Sequence, residues 1–491
     1  MIAVFFVLPL LAGLACFFGE SRAVRRMLLL LTALVHSALT AQAWVSLSDF
    51  QTYTWLRLDS LGLIVLTITD LLFLVSAIYA QGYLSRELKS VHYDANEQFF
   101  FKNISEQIFC GCLLLFLAAM SLLSVSQHFG LIWIALETTT LTSAPLVSFH
   151  KHHRSLEAMW KYLLICSVGI ALGLLGTFFL AASAVSSGEP QVLLVVDRLV
   201  ALAPQLNPFW LKLSFLFIFV GFGTKMGLAP FHSWLPDAHS EAPSLVSVLL
   251  SGSLLNCAFL GMLRVYQVVL AAGHGQFAQE LFLAFGVLSL LFATIFIIRQ
   301  RDFKRMLAYS SVEHMGILSL AVGVGGRAAL FGCLLHAVNH ALTKGMLFMT
   351  AGNIQYIYQT RLVSGVRGLC TTLPCSCTLW VLGFLAIAGV PPFGLFISKF
   401  IILQAAFIQG HAGVAVITLT LLTLVFFALT ALVMKMVYGT PETKYCTEQS
   451  ERWTFLLPPL LLLAGTLLLG VQLPAPLKAV LEDAVTILGV K

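Results

Sequence analysis

Residues 221–244 read GFGTKMGLAPFHSWLPDAHSEAPS. The run before them, FWLKLSFLFIFV at 209–220, is almost wholly apolar. Lys225 then appears at its edge, followed by His232, Asp237, His239 and Glu241 and by Pro230, Pro236 and Pro243. Proline removes a backbone donor and clashes with the preceding turn, so a helix cannot run straight through this stretch. If the segment lies in a bilayer, its unpaired backbone is tolerable only where it is buried in protein or lines a wet cavity. Lysine and break therefore share one explanation, an internal polar path. The glycines of GFGTKMG do not form a nucleotide loop, since no strand precedes them; close helix packing accounts for them.

Composition places the segment in a membrane. Of 491 residues, 59% are hydrophobic and 10% charged, with a mean hydropathy of +0.93. A soluble domain carries roughly a quarter charged residues. The net charge of +6 comes with no basic run long enough for a nucleic-acid patch, so no nucleic-acid partner is expected. The ten cysteines form no CxxC pair and read as small core hydrophobes. Cys370, Cys375 and Cys377 cluster without a fourth ligand, so no metal is expected there. The loop HKHHR at 150–154 reads as a solvated loop rather than a metal site. The N-terminus, MIAVFFVLPLLAGLACFFGESRAVRR, is apolar first and basic after, the reverse of a secretory signal, and reads as a retained spanning helix.

At about 20 apolar residues per crossing, about fourteen spans emerge, an all-α polytopic membrane protein. They lie near 2–18, 27–47, 60–84, 108–126, 129–149, 157–184, 209–250, 253–272, 277–298, 305–325, 328–352, 374–409, 412–438 and 453–473. Two are too long for one straight span, and each holds a proline-bearing interruption, near 229–243 and near 389–394, the latter AGVPPFG. Most of the 28 lysines and arginines, from Arg22, Arg25 and Arg26 through Arg299, Arg301, Lys304 and Arg305 to Lys435 and Arg452, fall in alternate loops. That bias predicts both termini outside a bacterial cytoplasmic membrane. The breaks occupy matching places in two successive five-helix units, 108–272 and 273–438. Because five is odd, the units run inverted, an arrangement that points to a transport site. Residues 1–107 precede them as three helices and an inside loop; 439–491 add a last helix and a short amphipathic tail.

Several ionisable side chains lie far from any span end. Glu137 sits in GLIWIALETTTLTSAPLV, Glu313 and His314 in MLAYSSVEHMGILSL, and Lys399 in PPFGLFISKFIILQ. LLHAVNHALTKGMLF puts His336, His340 and Lys344 along one helix face. A charge at mid-membrane costs on the order of 3 kcal/mol and marks function by default. Desolvation disfavours a lysine ammonium and a nearby carboxylate favours it, so Glu137 and Lys225 form a switch: paired, the lysine keeps its proton; apart, it releases one. His336 and His340 suit a relay. His232, Asp237, His239 and Glu241 form either a proton mouth or a hydrogen-bonded plug between half-helices.

KMGLAPFHSWLPDAHSEAPS, DFKRMLAYSSVEHMGI, HAVNHALTKGMLF and GVPPFGLFISKF together resemble the antiporter-like membrane subunits of respiratory complex I and the group 4 hydrogenases. SSVEHMGI and HSEAPS draw the resemblance toward the component F branch of hydrogenase-4 and formate hydrogenlyase-like complexes. The resemblance implies a fourteen-helix proton-channel subunit. Within it Glu137 would be the fifth-helix glutamate, Lys225 its seventh-helix partner, His336, His340 and Lys344 the eleventh-helix relay, and Lys399 the twelfth-helix lysine. Where the family often carries an eighth-helix lysine this chain has Asn256, so a water or a histidine would bridge the halves there; Arg264 lies too near the helix end to substitute. No cofactor is expected in the chain. The implied partners are other membrane-arm subunits and a peripheral redox arm with iron–sulfur and, in the hydrogenase branch, nickel–iron subunits. A sodium/proton antiporter subunit, a membrane partner of inorganic-carbon uptake and a static scaffold remain alternatives.

Overall fold

The computed structural model describes residues 1–50, 54–87, 92–94, 99–186, 193–440 and 451–489. Helices dominate it. The first six are α1 (Val4–Phe18), α2 (Arg22–Val45), α3 (Ser60–Glu87), α4 (Glu106–Val125), α5 (Phe129–Val147) and α6 (His153–Val185). Next come α7a (Pro208–Met226) and α7b (Trp234–Glu241), then α8 (Ser244–Ala271), α9 (Gly275–Ile298), α10 (Phe303–Val324) and α11 (Gly326–Tyr358). The chain closes with α12a (Pro374–Ala388), α12b (Gly394–Ile408), α13 (Ala412–Val437), α14 (Trp453–Val471) and α15 (Ala475–Ile487). A two-stranded antiparallel ribbon, His92–Asp94 with Phe99–Phe101, lies between α3 and α4.

Eleven of these segments, with α7a and α7b counted together, are long and apolar enough to cross a membrane; α1, α12a and α12b are apolar but shorter. α11 is absent from the eleven although it has 33 residues. Its length suffices; His336, Asn339, His340 and Lys344 dilute its apolarity, the mark of a functional span. All residues of α8's apolar window and 94% of α10's are buried, against 28% of α13's. α8 and α10 therefore lie inside the bundle and α13 at its outer face.

Both breaks are built alike. α7a starts on Asn207, whose Oδ1 accepts from the N–H groups of Phe209 and Trp210, with Pro208 in the first turn. It ends at Gly227 (φ +83°), where Leu228 N–H donates to Gly223 O at 2.9 Å and Gly227 N–H to Thr224 O at 3.2 Å. α12a ends at Gly389 (φ +83°), with Val390 N–H donating to Leu385 O and Gly389 N–H to Ala386 O, both at 3.0 Å. A left-handed glycine with this pair of closing bonds terminates a helix without orphaning its carbonyls.

One boundary differs from the sequence reading. The segment 209–250 ends instead at Glu241, and Ser244 already belongs to α8. Ala242 is extended (ψ 149°), as a residue before proline prefers, so Pro243 starts the new helix. The apolar run SLVSVLLSGSLL hid that turn. Within α8, Leu250–Leu254 form a π-helical turn, a feature frequent at functional sites. As the glycine reading expects, α6 and α7a touch backbone to backbone: a Cβ on Gly221 would stand 2.6 Å from Gly169 O. The amphipathic tail α15 docks on α3 and α8, through Ser60 to Asp483 and Gln267 Nε2 to Ile487 O (2.8 Å).

Candidate functional site

In the first half, Lys225 is fully buried in the last turn of α7a. Its Nζ donates to Thr140 Oγ1 on α5 and to Tyr162 OH on α6, each at 2.7 Å. Tyr162 OH in turn meets Ser143 Oγ at 2.7 Å. Glu137, one helical turn before Thr140, accepts instead from Ser167 Oγ at 2.8 Å, and its Oε2 is buried without a protein partner. Among the described residues Glu137 and Lys225 are thus unpaired, one of the two arrangements a pairing switch requires, and hydroxyl groups hold the lysine.

The second half does hold an ion pair. Lys399 Nζ lies 3.6 Å from Glu313 Oε1, joining α12b to α10. The same Nζ donates to Ile387 O (3.2 Å) and Ala388 O (3.4 Å), the carbonyl end of α12a. Lys344, on α11, donates to Leu307 O at 2.6 Å and to Ser310 Oγ on α10. Between these lysines runs a line of histidines. His314 Nδ1 meets His336 Nε2 at 2.8 Å, and His336 Nδ1 meets Ser398 Oγ at 3.0 Å, beside Lys399. The His340 ring lies 5.1 Å from that of His314. His314, His336, His340 and Lys344 are all fully buried. Neither nitrogen of His340 has a protein partner, nor has His314 Nε2. Glu313 and His314 thus join the cluster of Lys399, His336 and His340.

The segment after Lys225 is tied down by charge. Asp237 pairs with Lys161 (3.3 Å) and Arg305, and Glu241 with Arg361 (2.8 Å) and His152 (3.4 Å). These bonds fasten α7b to α6, to α10 and to the chain before α12a. His232 is caged by the rings of Phe292, Phe296 and Tyr309. His239 is fully buried, stacks on Phe348 of α11 at 5.1 Å, and has no partner at either nitrogen. In the 150–154 loop, His150 bonds Asn103 Oδ1 at 2.8 Å and His152 caps α6.

Two buried clusters were missed in the sequence. His36 of α2 bonds Asp70 Oδ1 of α3 through Nδ1 and Ser121 Oγ of α4 through Nε2, each at 2.9 Å. The test that found Glu137, an ionisable group far from a span's ends, also selects His36 and Asp70. Arg264 of α8 grips Asp59 with two bonds, at 2.5 and 2.6 Å, both side chains almost wholly buried. Burial alone would raise the Asp59 carboxyl, but the Arg264 guanidinium and the Gly62 N–H hold it below the ordinary range. Arg264's charge is thus committed to Asp59. Asn256, two residues past the π-helical turn, donates to Gly252 O at 2.6 Å and leaves its Oδ1 without a protein partner.

Known proteins share this architecture. The chain is 37% identical over 388 residues to a hydrogenase-4 component F homolog of Methylacidiphilum infernorum, covering 78% of this chain and 79% of that one. The membrane-bound sulfane sulfur reductase, an archaeal respiratory membrane complex, contains a chain that superposes with a TM-score of 0.87 at 20% identity, over 100% of this chain and 98% of its own. A chain of the Mrp complex from Dietzia sp. DQ12-45-1b superposes at 0.84 and 17% identity, over 99% and 98%. Residues 126–445, which hold both breaks and every lysine described above, match the model of the NADH:quinone oxidoreductase/Mrp antiporter transmembrane family. This multi-pass membrane chain belongs to that family.

Proposed function

We propose that the chain is a proton-translocating membrane subunit of a multi-subunit redox complex of the hydrogenase-4 or NADH:quinone oxidoreductase type. The observation that carries this reading is the line of buried proton-bearing groups on both sides of α8. It runs through Glu137, Tyr162 and Lys225 in one half and through Lys344, His340, His314, His336, Ser398, Lys399 and Glu313 in the other. A structural salt-bridge network satisfies its donors and acceptors. Here Glu137 Oε2, His340, His314 Nε2, His239 and Asn256 Oδ1 are buried without protein partners, the polar sites at which ordered water belongs. A hydrated relay needs such groups.

Electron transfer in partner subunits would drive the relay by changing which lysine is paired. The partners we assign are other membrane-arm subunits and a peripheral iron–sulfur arm, with nickel–iron in the hydrogenase branch; the chain itself holds no redox cofactor. The loop charges support a cytoplasmic-membrane location with both termini outside. The name carried by the 37%-identical relative favours the redox complex. The likeness to an Mrp complex chain keeps a sodium/proton antiporter subunit as the second reading. The test uses the intact complex in sealed vesicles. Lys225→Ala should abolish coupled proton movement while the complex still assembles, and full pumping by that variant sinks the relay. Sodium-dependent proton exchange without an electron donor would favour the antiporter.

A further inference from the structure

Away from the relay, four helix ends converge at one face of the bundle: the end of α3 at Arg86, the end of α11 at Tyr356, the start of α12a at Ser376 and the start of α14 at Phe455. Between them opens a surface pocket lined by Arg86, Asn353, Tyr356, Glu451, Arg452 and Phe455. The Arg86 guanidinium is held between two rings, its carbon 3.8 Å from the Phe455 centroid and 4.4 Å from that of Tyr356. A cation–π contact uses the positive charge without using up the five N–H donors of the guanidinium. Among the described residues no carboxylate pairs with Arg86 or Arg452. Glu451 lines the same pocket, but its two oxygens accept from the N–H groups of Cys375 and Ser376, each at 2.8 Å. Asn353 is spent as well, donating to Phe455 O at 3.1 Å and accepting from Tyr79 OH at 3.0 Å.

Two arginines thus line one pocket in which Glu451 and Asn353 are already committed and Ser376 Oγ is buried without a protein partner. Leu373 and Leu456 make its remaining wall apolar. Next to it Trp453 is 73% exposed, and tryptophan collects at the level of lipid headgroups. In the orientation proposed above, which this inference rests on, Arg86 and Arg452 lie on the cytoplasmic face, where anionic lipid is concentrated. A planar donor fork matches a phosphate oxygen pair, and the apolar wall suits the glycerol and acyl portion beyond it.

We propose that this pocket binds the phosphodiester headgroup of an anionic phospholipid, with Arg86 as the principal contact and Arg452 as the second. The site is independent of the proton relay. The intact complex would be delipidated and re-embedded in nanodiscs of phosphatidylcholine containing phosphatidylglycerol, and the lipid retained by this chain measured by native mass spectrometry. Phosphatidylglycerol should be retained selectively, and Arg86→Gln should weaken that retention roughly five- to tenfold. Arg86→Lys should fall between, since it keeps the charge and loses the fork. Lys212→Gln, far from the pocket, should change nothing. Melting gives a second readout: phosphatidylglycerol should raise the midpoint of the wild type and not of Arg86→Gln, whereas phosphatidylcholine raises neither. Undiminished retention by Arg86→Gln overturns the site. Displacement of the lipid by equimolar inorganic phosphate overturns the lipid as its ligand.

Discussion

The Arg264–Asp59 pair decides whether Arg264 can stand in for the lysine that Asn256 replaces. Two short bonds, at 2.5 and 2.6 Å, join side chains that are 1% and 8% exposed. Removing one partner of such a pair leaves a bare charge in a dry interior, at a cost of about 3–5 kcal/mol. Removing both in favour of apolar groups of similar volume is commonly neutral or stabilising. Asp59→Leu and Arg264→Met should therefore each lower the melting midpoint of the purified complex by many degrees. Asp59→Leu/Arg264→Met should recover most of that loss, with a coupling free energy of about 3 kcal/mol or more. The pH dependence has a definite sign. Asp59 is held below its ordinary value of about 3.9, so its contribution is complete above that pH and lost as pH falls through the lower folded value. The advantage of the wild type over the single variant Asp59→Leu should accordingly shrink only below about pH 4. Proton movement by the double variant supplies the functional readout. If Arg264 is a structural clasp, the rescued double variant pumps normally; a stable, assembled double variant that cannot pump refutes that reading and returns Arg264 to the relay.

Tyr162→Phe with Thr140→Val removes both hydroxyl acceptors of Lys225; hydrogen bonds to a charged group are worth about 1.5–3 kcal/mol each, so vesicle proton flux should fall tenfold or more, and an unchanged flux would remove those hydroxyls from the path. Gly389→Ala places a Cβ 3.0 Å from Lys399 Cδ at φ +83°, and should cost about 1–2 kcal/mol in melting together with most of the flux. Gly410→Ala has the same φ and no neighbour within 4 Å; it should show a similar thermal cost with flux intact, and equal flux in the two variants would refute a special role for the α12 break. His36→Leu leaves Ser121 without a partner and Asp70 with only the Ser37 hydroxyl, and should destabilise by about 1–3 kcal/mol, with proton flux per folded complex unchanged. A flux loss beyond the loss of folded complex would show that this cluster carries protons.

What could be read in the sequence was local, and what could not was relational. Gly227, Pro230 and Gly389 announce the breaks because left-handed glycine and proline act on their own backbone. His336, His340 and Lys344 share a face by helical periodicity, and the structure sets that face against α10, where His336 and Lys344 find bonding partners and His340 packs its ring near His314. Which carboxylate meets which lysine is another matter. Glu313 and Lys399 are separated by 86 positions, and nothing in either segment specifies that they touch rather than Glu137 and Lys225. The turn at Ala242–Pro243 was lost because apolar residues continue on both sides of it, and the π-helical turn of α8 because its sequence is as apolar as a regular helix. His36 and Asp70 lie in unbroken spans, yet each is an ionisable group far from a span end and so carries the same signal as Glu137.

The two lysines at the breaks also explain what a broken helix supplies beyond room for water. Lys225 lies in the last turn of α7a, and Lys399 reaches from α12b to Ile387 O and Ala388 O at the end of α12a. In each half, therefore, a lysine is placed at the carbonyl end of a half-helix buried within the bundle. A helix carries about half a negative charge at that end, and an unbroken span would carry it to the membrane surface, where salt and water screen it. Interrupting the helix brings that charge to the bundle interior, against which a lysine can be held without a permanent carboxylate. Lys225, bonded only to hydroxyls, is that case, while Lys399 adds Glu313 at 3.6 Å. A carboxylate that is not needed to keep the lysine in place is free to approach and withdraw, which a proton switch requires and a fixed salt bridge forbids.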